Sequence, residues 1–375
     1  IPAGDWTVDI GGNVNAFLTH TTSDTTARAT GAKTSAADQN TIGTGLLPSA
    51  LGIGAKTRQN DLDVALQFTF FTGSSSGNAA AGGNNTLNIR QAFMTFGDAS
   101  WGTIKLGRDL GIYGSDAILS DMTLLGVGVG GPAGGSSTLG RIGSGYIYAD
   151  WKGQISYASP NWNGFQVAAG VMEGFNNGRD DLGYEAKATY DFAANDVTGR
   201  IWVSGLTQKT KIAAAAAVAA VPGNAGTAAV TAADYTSRGF DIGAKVAYQG
   251  AQLVGYYYDG EGLDSNTSAT GTSGLFNGAG QKSKDSGGYV QATFAVPGIG
   301  TKLGASWGVS NTKAANGTAY DVENESWIVG AYHPLTKSVN LVAEYTNQEI
   351  KDKAAAATNS KRENDTVSVG AIMFF

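Results

Sequence analysis

Apolar and polar residues alternate at period two along nearly the whole chain. Trp6, Val8, Ile10, Val14, Ala16 and Leu18 share one face of the first stretch, while Thr7, Asp9, Asn13 and Asn15 share the other. Alternation of this kind puts successive side chains on opposite faces of a β-strand. The same rhythm sets Leu62, Val64, Leu66, Phe68 and Phe70 against Asp63, Gln67 and Thr69. It sets Tyr184, Ala186, Ala188 and Tyr190 against Glu185, Lys187 and Thr189, and Leu303, Ala305, Trp307 and Val309 against Lys302, Ser306 and Ser310. The pattern predicts an all-β chain.

The connections alternate in length. Short ones fall at Arg58 to Asp61, Asp98 to Ser100, Pro160 to Asn163, Ala193 to Asp196, Gln249-Gly250, Pro297 to Ile299 and Pro334 to Thr336. Long ones fall near 21–46, 74–85, 109–150, 173–182, 208–236, 261–285, 312–322 and 350–362. Seven short turns and eight long loops separate sixteen strands. A soluble sandwich also alternates, but its connections are similar at both ends. Short turns on one side, long loops on the other and an even strand count predict a transmembrane, antiparallel, up-and-down barrel formed by residues 1–375. Closure follows physically, since an open edge in hydrocarbon leaves backbone groups unpaired. The last strand, Val367 to Phe375, should therefore pair with the first, although Ile372 and Phe374 then fall on the inner face. Trp6, Trp101, Trp162, Tyr190, Phe192 and Tyr248, near strand ends, are candidates for an interfacial girdle.

The stretch 109–150 is too long for a hairpin loop, and segments of that length are functional or disordered. Its first half is rich in apolar side chains, among them Ile112, Tyr113, Ile118, Leu119, Met122, Leu124 and Leu125, which a disordered linker lacks. Its second half carries nine glycines between Gly126 and Gly145 and can bend sharply. If the preceding strand runs outward, the apolar half packs only by turning into the barrel.

Composition changes this picture little. No stretch approaches the roughly eighteen consecutive apolar residues of a membrane helix, and the absence of cysteine fits an envelope protein and a cytosolic one alike. The net charge of −6 argues against nucleic-acid binding. Ile1-Pro-Ala-Gly-Asp5 leads straight into strand pattern, and the outer-membrane reading implies a signal peptide already removed. No cofactor or metal site is expected, and His20 and His333 should lie at opposite ends of the barrel, too far apart to share a catalytic centre with a nucleophile. Gly126-x-Gly-x-Gly-Gly131 has no βαβ context for a dinucleotide. The alanine tract Ala213–Ala220 reads as an insertion in an external loop, with enough propensity for a short helix.

Two motifs carry a family resemblance. Arg90-x-Ala-x-x-x-Phe-Gly-x-x-x-Trp-Gly-x-x-x-Leu-Gly-Arg108 precedes the long loop, and Ile155-Ser-Tyr-Ala-Ser-Pro-Asn-Trp-Asn-Gly-Phe165 follows it, with Phe375 at the end. In these and in layout the chain resembles the general porins of Gram-negative bacteria. The resemblance implies a homotrimer of sixteen-stranded barrels in the outer membrane, in contact with its lipid and lipopolysaccharide. It also implies a third loop folded inside as a constriction. One position departs from the family pattern: Ser156 stands where related chains often carry Arg, with Lys152 and Arg141 as candidates to compensate.

A sixteen-stranded barrel is wide enough for an aqueous channel. Counting from the short turns places Arg90, Lys105 and Lys187 inward near mid-height and Lys245 and Lys302 lower, with Asp109, Asp116 and Asp121 offered by the loop. Opposed charges across a constriction would orient polar solutes and bias which ions pass. The expected function is passive diffusion of small hydrophilic solutes and ions, with a weak preference for anions or small carboxylates. Glu185, Asp241 and Glu344 also point inward and weigh against that preference, as would neutralisation of the cations by loop acids. Two alternatives share the barrel: a selective uptake channel, with Tyr256 and Tyr258 as a ring-binding site, and an adhesin or structural anchor, to which the Ala, Gly, Ser, Thr and Asn-rich loops are poorly suited.

Overall fold

The computed structural model describes residues 1–72, 87–130, 137–174, 181–212, 232–263, 282–314, 320–354 and 359–375. Ala213–Ala220 lies outside the described residues. All strands belong to one antiparallel sheet. Its sixteen wall strands are β1 (Trp6–Ala27), β2 (Ser49–Gln59), β3 (Leu62–Thr72), β4 (Asn88–Asp98), β5 (Gly102–Leu110), β6 (Trp151–Ala158), β7 (Phe165–Glu173) and β8 (Leu182–Ala194). They continue as β9 (Val197–Ile212), β10 (Ala233–Tyr248), β11 (Ala251–Glu261), β12 (Ser283–Ala295), β13 (Lys302–Ala314), β14 (Asp321–Pro334), β15 (Val339–Asp352) and β16 (Asn359–Phe374). Three short strands, Pro2–Ala3, Lys33–Ser35 and Gln39–Gly43, add to the two ends of β1.

Each wall strand pairs with its sequence neighbour, and β16 returns to β1 with partners running from Asn359↔Ala27 to Phe374↔Asn13. The barrel is closed, so no edge is left unpaired. The tight connections fall at one end. Asn60 and Asp61, and Gln249 and Gly250, have φ of 47°, 62°, 46° and 85°, the left-handed pairs that match two-residue hairpin turns to strand twist. At the other end several strands outrun their expected limits: β9 continues to Ile212 and β10 starts at Ala233, with Lys209↔Thr236 still in register. β5 extends through Leu110, so Asp109 belongs to the wall and the third loop begins at Gly111.

The apolar face points out. Ile10, Leu253 and Val290 are 55%, 63% and 56% exposed, whereas Asn13, Asn15 and Thr19, on the opposite face of β1, are buried. A water-soluble fold does not present such a belt; a barrel in lipid does. Near the short turns Trp162 stacks on Phe165 at 6.2 Å and Tyr190 on Phe192 at 6.3 Å, as an interfacial girdle requires. The buried apolar clusters lie inside the barrel instead, between the wall and the third loop. In one, Met122 and Val127 of the loop meet Phe17, Ile328, Tyr332, Val342 and Ile372. That contact accounts for the inward apolar residues of β16.

Gly370 sits at the closing seam. A Cβ there would lie 2.2 Å from the Ala16 carbonyl oxygen and 2.6 Å from the Phe17 ring. Gly370→Val should lower stability by about 1–3 kcal/mol through overpacking, read as a lower midpoint of thermal unfolding for the detergent-solubilised protein. An unchanged midpoint would show that the seam tolerates the added bulk.

Candidate functional site

The third loop leaves β5 and turns into the lumen, and its base is closed by Gly111 N–H donating to the Asp150 carbonyl at 2.8 Å. Backbone N–H groups taken out of bulk water need acceptors, and the wall supplies carboxylates. Glu185 on β8 accepts from Ile112 and Tyr113 at 2.7 and 2.9 Å. Asp241 on β10 accepts from Gly114 at 3.2 Å. The helix α1 (Ser115–Ser120) follows. Tyr289 on β12 donates to the Ala117 carbonyl at 2.8 Å, and Gln291 bonds Ser120 O and Met122 N. Glu344 on β15 then accepts from Val127 and Gly128 at 2.9 and 2.7 Å.

Small residues permit this approach. A Cβ at Gly126 would lie 2.0 Å from Glu344 Oε1, and Gly128 has φ of 61°. On the return, Arg141 is fully buried and donates to Ser306 Oγ at 2.5 Å and to Ser326 O and Oγ at 3.2 and 3.1 Å. Burial lowers its guanidinium to about 10, opposed by the nearby Asp121 carboxylate, so it stays cationic at neutral pH. Leu46 N–H reaches the Gly126 carbonyl and Thr138 N–H the Gly45 carbonyl. The loop thus packs against the wall from β8 round to β16 and β1 and touches the first loop.

The charged side chains pair mostly along the wall. Asp109 holds Lys105 on its own strand and accepts from Gln91. Asp116, on α1, receives Lys187 at 2.8 Å and Arg200 at 3.1 Å, and Arg200 also pairs with Asp191 at 2.6 Å. Asp121 stays within the loop, accepting from Thr123 N, Arg141 N and the Tyr146 hydroxyl. Glu185 pairs with Lys152, and Asp241 accepts from Ser204 and Tyr256. Arg90, Lys245 and Lys302 have no carboxylate within 4 Å among the described residues. Arg90 lies over the Phe71 ring at 4.9 Å, and Lys302 over Tyr332 at 4.8 Å.

Residues 3–353 match the family described as Gram-negative porin. The chain belongs to the Gram-negative porin family. Among curated proteins none matches its sequence. The barrel is similar to outer-membrane expressed OmpT of Vibrio cholerae, also solved in a trimer form, with 17% identity over 100% of this chain and 99% of that one and a TM-score of 0.62. It is similar to an anion-selective porin from Comamonas acidovorans, with 16% identity over 99% and 100% and a TM-score of 0.63. The outer-membrane channel DcaP of Acinetobacter baumannii gives 14% identity over 98% of each chain and a TM-score of 0.63. The protein is thus an outer-membrane barrel of a Gram-negative bacterium, with a fold consistent with channel formation. His20, beside Asn40, and His333, beside Thr301, lie near opposite ends of the wall.

In this porin Arg90 reaches the lumen only because the register shifts between Thr69 and Phe70, placing an extra residue opposite β3. Strict alternation from outward Met94 would aim it at lipid. Arg200 and Asp191 escaped the sequence reading, though Arg200 alternates with the inward Trp202 and Ser204. Ser156 bonds Gln154 and is directly paired with Lys105 across the strands. Lys152 is committed to Glu185 and Arg141 to the far wall, so neither replaces an Arg there. Tyr256 and Tyr258, 6% and 0% exposed, are covered by the loop and present no ring-binding surface.

Glu344→Ala strips Val127 and Gly128 of their acceptor, at about 1–3 kcal/mol for each buried group left unpaired. Single-channel records should then show added open-state noise from a loosened loop. Records as quiet as wild type would mean that the loop does not depend on this carboxylate.

Proposed function

We propose that this porin is an open, water-filled channel for passive diffusion of small hydrophilic solutes and ions, with a weak preference for anions, small carboxylates among them. The observation that carries the preference is the state of the inward charges. The acids Asp109, Glu185 and Asp191 of the wall and Asp116 of the loop helix are held by cations, and Asp241 and Glu344 are buried under the loop. Arg90, Lys245 and Lys302 remain without acid partners among the described residues. Unpaired cations in a narrow lumen raise the local concentration of anions.

The reading includes assembly as a homotrimer and contact of the outer belt with lipid and lipopolysaccharide, as the family resemblance suggests. A selective channel built on Tyr256 and Tyr258 is not favoured, since both lie beneath the loop. Nothing in the described loops favours an adhesin.

Under a KCl gradient across a planar bilayer, the reversal potential should favour Cl⁻ over K⁺. Arg90→Ala should weaken that preference, whereas Asp116→Ala, which frees Lys187 and Arg200 from their shared carboxylate, should strengthen it. A wild-type channel that prefers K⁺ would refute the anion reading. Proteoliposomes that fail to swell in small sugars would refute open diffusion.

A further inference from the structure

Three side chains outside the ion pairs meet at one level of the wall. Arg90 stands eight residues from the end of β4 at Asp98, Phe71 nine from the start of β3 at Leu62, and Trp151 seven from the end of β6 at Ala158. With a rise of about 3.3 Å per residue and a tilt near 45°, all three lie roughly 16–21 Å above the short turns. They come together there. The guanidinium carbon of Arg90 is 4.9 Å from the centre of the Phe71 ring, and the Phe71 and Trp151 rings are 5.7 Å apart and tilted by 47°. Phe71 alternates with inward Gln67 and Thr69, so its contact with Trp151 draws the indole to the lumen side of the wall. Tyr148, at the end of the third loop, is close enough to feel the Arg90 charge.

Stacking on a ring uses the face of a guanidinium and leaves its edge free. Arg90 has no carboxylate within 4 Å and donates to no group among the described residues, so its fork of N–H groups is open to a bidentate carboxylate. The acids nearby are occupied. Asp150 accepts from the Trp151 backbone N–H at 2.7 Å, and Asp109 holds Lys105 and accepts from Gln91. Phe71 is 7% exposed and lies beneath the cation, whereas Trp151 is half-buried and keeps part of its indole free to meet a second ring. The wall thus sets an unpaired cation beside an aromatic surface. Inorganic anions use the cation alone. A carboxylate bonded directly to a planar ring uses both, since aromatic pairs with centres about 4.5–7 Å apart gain energy beyond the area they bury.

We propose that Arg90, Phe71 and Trp151 form a binding step for aromatic carboxylates, in which the guanidinium takes the carboxylate and the indole takes the ring. Phe71 acts by positioning, since it carries the guanidinium and backs the indole. The ring surface that buried Tyr256 and Tyr258 do not offer is supplied instead on β3 and β6. The inference rests on the anion reading and names a substrate class within it.

The test compares benzoate with cyclohexanecarboxylate, anions of equal charge and similar size of which only the first is planar and aromatic. Each is added to channels in 0.1 M KCl at neutral pH, and the concentration that halves the mean current is read. In wild type benzoate should act at a concentration about two- to ten-fold lower. Trp151→Leu should bring the two concentrations together, Trp151→Phe should keep most of the difference, and Arg90→Ala should raise both. No block by benzoate, equal concentrations in wild type, or a difference that survives Trp151→Leu overturns the proposal. If Trp151→Leu gives no folded band in unboiled gels, Phe71→Leu takes its place with the same expected loss. The anion reading fails separately, through a K⁺-favouring wild-type reversal potential in KCl without either acid.

Discussion

Acceptance of loop N–H groups by wall carboxylates is the interaction on which the inner architecture depends. A polypeptide segment carried into a barrel loses much of its bulk water, and its backbone donors must find partners. Glu185, Asp241 and Glu344 provide them at successive points on β8, β10 and β15. Between these points the loop rests on apolar pads, Tyr113, Ala117 and Ile118 against Trp202, Tyr256 and Tyr289, then Met122 and Val127 against Phe17 and Ile372. Arg141 fastens the returning half to serines of β13 and β14.

This attachment also sets the electrostatics. By covering β8 to β15 the loop buries the acids that would otherwise face the lumen and brings Asp116 to Lys187 and Arg200. Lys105 with Asp109 and Lys152 with Glu185 pair along the wall, whereas Lys187 and Arg200 of the wall pair with Asp116 of the loop helix. Arg90 above and Lys245 and Lys302 below are left without a carboxylate within 4 Å among the described residues, Arg90 lying over Phe71 and Lys302 over Tyr332.

Most of the fold was legible because lipid and water impose one rule on every strand. Alternation identified the faces, loop lengths identified the ends, and closure followed from the cost of an unpaired edge. The site was less legible because its partners lie far apart in sequence. Nothing near Glu344 announces that its carboxylate serves Val127 and Gly128. Ile372 looked misplaced until Met122 and Val127 of the loop were found against the same patch. Arg90 depends on a bulge whose signal is one extra residue, and Tyr256 and Tyr258 looked available because nothing local shows that the loop covers them. The inward face of Arg200 was readable from its neighbours; its two acid partners, on β8 and on the loop, were not.

The position of the third loop is best tested by tethering it where it lies. Ser326 Oγ on β14 is 2.8 Å from Ser144 Oγ of the loop, and the chain has no cysteine to interfere. The double variant Ser144→Cys, Ser326→Cys should form its disulfide in nearly every molecule and keep the wild-type single-channel conductance whether oxidised or reduced. Failure to cross-link, or a conductance that changes when the bond is reduced, would contradict a loop held against this wall.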